Sequence, residues 1–177
     1  RVPDVIKIFA EVRKKLPCHL LLVGDGPERS ACELLARELQ LHEHVRFLGK
    51  QMDLVPILSA SDLMLMPSQS ESFGLSALEA MACEVPVISS SVGGLPELQV
   101  HGETGYIAEI GDIDRMAKYA VELLTNDVKR GLFQAACRRR AVEQFDVRKI
   151  VTQYEEYYTE CLRGTTYPQG DKEGTAR

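Results

Sequence analysis

The sequence has no uninterrupted apolar stretch of the roughly 20 residues that a membrane-spanning helix requires. It has no C-x-x-C pair, and its five cysteines (Cys18, Cys32, Cys83, Cys137 and Cys161) are odd in number and widely spaced. That argues against a disulfide scaffold and a cysteine-based zinc site. It predicts reduced thiols in a cytoplasmic protein, each cysteine packed as a small core residue. Histidine is scarce as well: of the four, His42 and His44 stand two apart in a polar connection with no third ligand nearby, so they read as loop residues and no metal is expected. There is no H-E-x-x-H, no Walker A lysine and no Ser-His-Asp spacing, so a self-contained hydrolase or kinase is unsupported. Positive charge is in deficit, 21 Lys and Arg against 26 Asp and Glu, for a net charge of −5. Nucleic acid and anionic lipid bind through clustered cations, so neither is an expected partner. The opening Arg1-Val2-Pro3-Asp4 shows no signal-peptide layout, and the chain carries no internal repeat.

What is present is an ordinary globular composition, 45% apolar and 27% charged over 177 residues, enough for one domain with a proper core. Apolar spacing and turn residues predict helices over Pro3–Leu16, Glu28–Leu39, Asp53–Ser59, Gly74–Cys83, Leu95–Val100, Asp112–Leu124, Asp127–Glu143 and Val147–Leu162. In the first of these, Val5, Ile8, Phe9 and Val12 mark the apolar face. Strands are predicted at His19–Val23, Val45–Leu48, Leu63–Met66, Pro86–Ile88 and Tyr106–Ile107. Strand and helix alternate, and the strands are continuous apolar runs, as expected where both sheet faces are covered. The fold class is therefore α/β, a Rossmann-like doubly wound parallel sheet, with ligands at the C-terminal ends of its strands. Such a domain usually opens with a strand, whereas this chain opens with a helix, so a first strand and its loop are expected to lie outside it. Residues 1–162 form the domain, and 163–177, without periodicity, read as a flexible tail.

The most informative stretch runs from Glu71 to Ala82, where Glu71 lies in the loop after a strand and Glu79 inside an almost wholly apolar helix. Glu79 falls at the edge of a stripe formed by Leu75, Leu78 and Ala82 and leans toward the helix start. That start offers backbone N–H groups at Gly74 and Leu75 and the positive end of the helix dipole, a natural phosphate seat. Glu79 is then placed to accept hydrogen bonds from ribose hydroxyls, and Glu71 to meet a sugar on the phosphate. Gly24-Asp25-Gly26-Pro27 is a tight strand-to-helix turn, either a plain turn or a wall of a nucleotide cleft; without a third glycine it is a weak dinucleotide fingerprint. Gly93-Gly94, between a strand and a short helix, reads as close packing, and Arg138-Arg139-Arg140 as a solvated helix face.

The spacing from Glu71 to Glu79 resembles the E-x7-E motif of the retaining family 4 glycosyltransferases. So do Val23-Gly24-Asp25-Gly26-Pro27, Phe47-Leu48-Gly49, Pro67-Ser68, Val85-Pro86-Val87-Ile88, Gly93-Gly94-Leu95-Pro96-Glu97 and Gly102-Glu103-Thr104-Gly105-Tyr106. The resemblance covers roughly residues 1–162 in family order. It implies the C-terminal, donor-nucleotide domain of a GT-B enzyme, with an acceptor-binding N-terminal domain of the same chain absent here. Gly49-Lys50-Gln51 and the opening Arg1–Val5 look closest to the branch that joins GlcNAc to L-malate for bacillithiol.

On that resemblance Glu79 binds ribose and Glu71 is the catalytic glutamate that contacts the donor sugar. Phe73, Gly74 and Leu75 approach the diphosphate, Leu48 and Gly49 meet the uracil, and Gly24 and Gly26 line the donor cleft. It implies a UDP-sugar donor (UDP-GlcNAc in that branch), a small-molecule acceptor, and neither cofactor nor catalytic metal. The family's diphosphate-clamping Arg and Lys would lie just before Arg1. The family usually has glycine where this chain has Glu84, a left-handed helix end that costs another residue about 1 kcal/mol. A GT-B epimerase, a dinucleotide-binding oxidoreductase domain and a binding-only domain are the alternatives. The oligomeric state, homo-oligomer included, is left open, and Tyr154, Tyr157 and Tyr158 of the last helix are expected to be exposed or covered by a neighbouring copy.

Overall fold

The computed structural model describes residues 1–163 and divides into two compact units, Arg1–Ala141 and the residues from Val142 onward. The expected tail lies outside the described residues from position 164. The elements alternate: α1 (Val2–Arg13), β1 (Leu20–Val23), α2 (Arg29–Glu38), β2 (Val45–Gly49), α3 (Val55–Ser59), β3 (Met64–Met66), α4 (Leu75–Ala82), β4 (Val87–Ser90), α5 (Leu95–Leu98) and β5 (Gly105–Ala108). Helices α6 (Ile113–Thr125), α7 (Asp127–Phe145) and α8 (Val147–Leu162) follow.

Among the described residues all strand pairs are parallel, as the alternation predicts, but they form two sheets, β1–β2 and β3–β4–β5. Strand β4, paired on both edges, is buried along its whole length. Strand β1 was expected to be buried too, yet Leu21 and Val23 are 40% and 41% exposed. The reason is its position. Its one hydrogen-bonded neighbour is β2, and a cavity of about 810 Å³ is lined by both Leu20–Val23 of β1 and Leu63–Leu65 around β3.

Helix α1 carries Pro3 in its first turn, with Asp4 beside it held by Arg1 and approached by Lys7 Nζ at 3.9 Å. It serves two cores at once. Ile8 and Val12 pack with Ile88, Met116, Leu123 and Phe133, while Ile6 and Phe9 pack with Cys32, Ala36, Leu41 and Val45. Ile6 therefore takes the buried place expected of Val5, which is only half-buried. Each fully buried large apolar side chain of this kind contributes about 1.5–3 kcal/mol. Helix α6 is capped by Asp112, whose carboxylate accepts from the Arg115 N–H at 3.1 Å.

The second unit holds the end of α7 and helix α8. Asp146 caps α8, accepting from the Arg148 N–H at 2.9 Å, and its guanidinium partner on the same residue holds the carboxyl well below the usual range. No residue of α8 is buried, so Tyr154, Tyr157 and Tyr158 are exposed as expected. Cys161 is exposed for the same reason, which corrects its reading as a core residue; Cys32 and Cys137 are buried and Cys18 and Cys83 half-buried.

Candidate donor site

The sequence-predicted residues gather into two groups within the first unit. The first surrounds the start of α4. Gly74 is its N-cap, in the left-handed region at φ 95°, and makes no side-chain cap. The first N–H groups of the helix therefore emerge without an intrahelical partner. The Glu71 side chain lies beside this cap, its Cγ 3.7 Å from where a Gly74 Cβ would stand, and its Oε1 accepts from the Ser72 N–H at 3.1 Å.

Glu79 sits one helical turn on. The buried face of α4 is Ala77, Ala80 and Met81, not the expected stripe of Leu75, Leu78 and Ala82; Leu75 is 68% exposed. That face, two alanines and the larger Met81, packs toward strands β3 and β4, and Leu75 is left pointing outward. Ser76 and Glu79 share the open side and line the large cavity together with Val23 and Leu65. Glu79 is exposed and lines that space.

The second group stands at the C-terminal ends of β1 and β2. The Gly24 N–H donates to the Gly49 carbonyl at 2.8 Å, joining the two strand ends. Gly24 (φ 114°) and Gly26 have open space where a Cβ would be, so this turn leaves room beside the backbone. The Leu48 carbonyl already accepts from Gln51 Nε2 at 2.7 Å. Arg29 lies against this end, 5.9 Å over the Phe47 ring and paired with Glu33 at 2.9 Å.

Beneath the first group lies a feature that spacing alone assigned only to packing. A Cβ on Gly93 (φ 52°) would stand 1.6 Å from the Glu71 carbonyl oxygen, and one on Gly94 2.8 Å from that of Ser72. The Gly94 N–H donates to the Ser72 carbonyl at 2.9 Å. Leu95, fully buried, fills the space under Gly74, its Cδ2 2.7 Å from a Gly74 Cβ position. The expectation of close packing at Gly93-Gly94 is therefore met, and the packing is against the backbone of Glu71, Ser72 and Phe73.

The arginine run of α7 was expected to be a solvated face. Arg138 and Arg139 are exposed as expected, and from that face Arg138 Nη1 donates to the Ala82 carbonyl at 2.7 Å and Arg139 pairs with Glu103 at 3.1 Å. Arg140 donates to the Leu98 and Glu97 carbonyls, both at 2.7 Å. Cations at helix C-termini satisfy orphan carbonyls and complement the dipole. Sequence reading missed them because their acceptors lie 42 to 56 residues away.

Among the described residues no group of three His, Cys, Asp or Glu could hold a metal ion, and no helix is long and apolar enough to cross a membrane.

The sequence profile described as "Glycosyl transferases group 1" matches residues 1–142. The chain belongs to the group 1 glycosyl transferases. Among curated relatives, this glycosyl transferase domain is 45% identical over 163 residues to the N-acetyl-alpha-D-glucosaminyl L-malate synthase of Bacillus anthracis, covering 92% of this chain and 43% of that protein. It thus spans less than half the length of that relative. Among solved structures it is similar to the sucrose-phosphate synthase of Thermosynechococcus elongatus (TM-score 0.81, 31% identity, 90% of this chain and 43% of that one). It is equally similar to Anabaena Alr3699/HepE, solved in complex with UDP (TM-score 0.81, 28% identity, 88% and 44%). The domain is a mixed α/β fold with parallel strands, as the alternation of elements implies, and its structural neighbours are GT-B glycosyltransferases.

Proposed function

We propose that this chain is the donor-binding domain of a retaining glycosyltransferase that moves a sugar from a UDP-sugar to a small acceptor, with UDP-GlcNAc as donor and L-malate as acceptor. The observation that carries the reading is the start of α4, where a left-handed Gly74 bares the first backbone N–H groups between Glu71 and Glu79. The similarity to a GlcNAc–malate synthase supports the choice of donor and acceptor.

In this reading the diphosphate rests on the N–H groups of Leu75 and its neighbours, approached through Phe73 and Gly74. Ribose hydroxyls donate to Glu79, and the sugar meets Glu71. Gly24, Gly26, Leu48 and Gly49 line the uridine side. During transfer the bond from the sugar C1 to the diphosphate oxygen breaks while the acceptor oxygen bonds to C1 on the same face. The acceptor proton passes to the departing diphosphate oxygen. Negative charge grows on that oxygen, so fixed N–H dipoles at a helix start stabilise the transition state more than the ground state. The charge is met by the protein itself, and the mechanism uses no metal and no cofactor. The acceptor is bound by a part of the enzyme outside this chain. The free cysteines fit a reducing, cytoplasmic setting.

The test is calorimetric titration of the protein and its Glu79→Ala variant with UDP, UDP-GlcNAc, GDP and NAD. The expected result is selective uridine-nucleotide binding that weakens about tenfold or more in the variant, the worth of hydrogen bonds to a charged acceptor. Preference for NAD, or UDP binding indifferent to Glu79, overturns the assignment.

A further inference from the structure

We infer that Arg140 is a positioning residue for the donor site, acting through helix α5. The inference rests on the reading of Glu71–Leu75 as the seat of the donor diphosphate and sugar. It adds to that reading the part of the protein that holds the seat in place.

Helix α5 is a single turn, Leu95–Leu98. A turn this short cannot support itself, because helix nucleation is unfavourable without tertiary contacts. It is held at both ends. At its C-terminus the guanidinium of Arg140 spans two successive carbonyls, Nε to Leu98 and Nη2 to Glu97. Gln99 then leaves the helix in extended geometry and donates from Nε2 to Ser89 Oγ at 2.8 Å. At its N-terminus Gly94 donates to the Ser72 carbonyl, Gly93 lies directly under the Glu71 carbonyl, and Leu95 lies under Gly74. The turn is thus a short strut, about 6 Å long at 1.5 Å per residue. One end is fixed by α7 and the other forms the floor of the Glu71–Gly74 loop.

The fixed end is itself rigid. Phe133, Ala136, Cys137 and Ala141 bury the inner face of α7, and one turn before Arg140 the Cys137 thiol donates to the Thr104 carbonyl at 2.9 Å. Arg138 on the same helix holds the last carbonyl of α4. One helix therefore anchors both the element that carries the N–H groups and the element beneath the loop that carries Glu71. A lysine cannot reproduce the arrangement at Arg140, because a single ammonium lacks the planar fork that reaches two carbonyls together.

The consequence is specific: loss of the fork frees α5 to shift, and the loop above it loses its fixed geometry. The experiment compares Arg140→Ala, Arg140→Lys and Arg139→Ala in the complete transferase. Arg139 is the control, since its hydrogen bond goes to Glu103, outside α5. Two readouts are taken: the KM for UDP-GlcNAc and kcat at saturating L-malate, and amide exchange across residues 70–75. Arg140→Ala is expected to raise donor KM about tenfold with a smaller change in kcat, Arg140→Lys to fall between, and Arg139→Ala to match wild type. Exchange in the loop rises in the same order.

If Arg140→Ala lowers stability but leaves donor KM and loop exchange unchanged, Arg140 is a structural cap only and the inference is overturned. Glu79→Ala, run alongside, separates the two levels. Should donor KM ignore Glu79 as well, the donor seat is misassigned; the coupling from Arg140 to the loop then stands if loop exchange has risen and falls if it has not.

Discussion

Gly93 and Glu71 meet backbone to backbone, so closely that a methyl group on Gly93 would stand 1.6 Å from the Glu71 carbonyl oxygen. No side chain fits there. The contact joins the turn after β4 to the loop after β3, and so ties a glycine with no chemistry of its own to the glutamate proposed to meet the donor sugar.

The first prediction concerns that contact. Gly93→Ala must either displace the Glu71 loop or strain the left-handed Gly93 at φ 52°. Overpacking and the positive φ together cost about 2–4 kcal/mol. The midpoint of urea unfolding should fall accordingly, and the folded fraction should lose donor affinity. Unchanged affinity in a folded Gly93→Ala protein would show that the loop geometry does not govern binding. Gly26→Ala, where a Cβ meets open space, should leave stability nearly unchanged.

A second prediction follows from the end of α4. Glu84 adopts φ 63°, its N–H donates to Met81 at 3.1 Å, and the Val85 N–H donates to Ala80 at 2.9 Å. These are the two bonds of a Schellman ending, whose left-handed residue is usually glycine. Glu84→Gly should stabilise the protein by up to about 1 kcal/mol, or about 2–4 °C in melting temperature. Gln40 at φ 58° ends α2 the same way, the Leu41 N–H donating to Ala36 at 2.7 Å, and Gln40→Gly should behave alike. A calorimetric scan showing lower stability for both would refute the strain argument.

The cluster of Tyr106, Glu122 and Lys129 sets a pH dependence. Tyr106 donates to Glu122 at 3.0 Å, and Lys129 bonds the same carboxylate. The Lys129 hydrogen bond, ahead of the one from Tyr106, holds the Glu122 carboxyl below its ordinary 4.5. A lowered carboxyl binds protons more weakly in the folded than in the unfolded state. Its stabilisation is therefore complete above that ordinary value and lost as pH falls through the folded one. Lys129 is raised by the same bond, so its share is lost on the alkaline side. Glu122→Gln should be less stable than wild type at neutral pH, with the gap closing in acid. A gap that stays constant well below the carboxylate range would contradict this account.

Thiol chemistry gives a fourth test. Burial pushes the Cys137 thiol up to about 12, and Cys32 is raised by burial too. Cys161 is exposed. Iodoacetamide at neutral pH should label Cys161 in the native protein and reach Cys137 and Cys32 only as it unfolds. Fast native labelling at Cys137 would mean that α7 opens locally, and would weaken the case for it as an anchor.

Much of this protein was legible in its sequence because the signals are local. Alternating apolar runs and helical spacing set the order of strands and helices, since each depends on neighbours a few residues away. The pair Glu71 and Glu79 around Gly74 was legible for the same reason: a glycine at a helix start with two flanking acids is a statement about one short segment. What only the tertiary structure decided involves residues far apart in the chain. The division of the strands into two sheets leaves β1 half-exposed despite its fully apolar composition. The inward face of α4 carries Ala77, Ala80 and Met81 while Leu75 points outward, a choice made by how the helix packs on β3 and β4. Arg138 and Arg139 of α7 are exposed as the sequence suggests, but the carbonyls of Ala82, Glu97 and Leu98 that Arg138 and Arg140 reach are brought to them only by the fold. Hydrophobic periodicity reports what a segment prefers to bury, whereas those carbonyl contacts and the Gly93–Glu71 approach depend on where folding puts the rest of the chain.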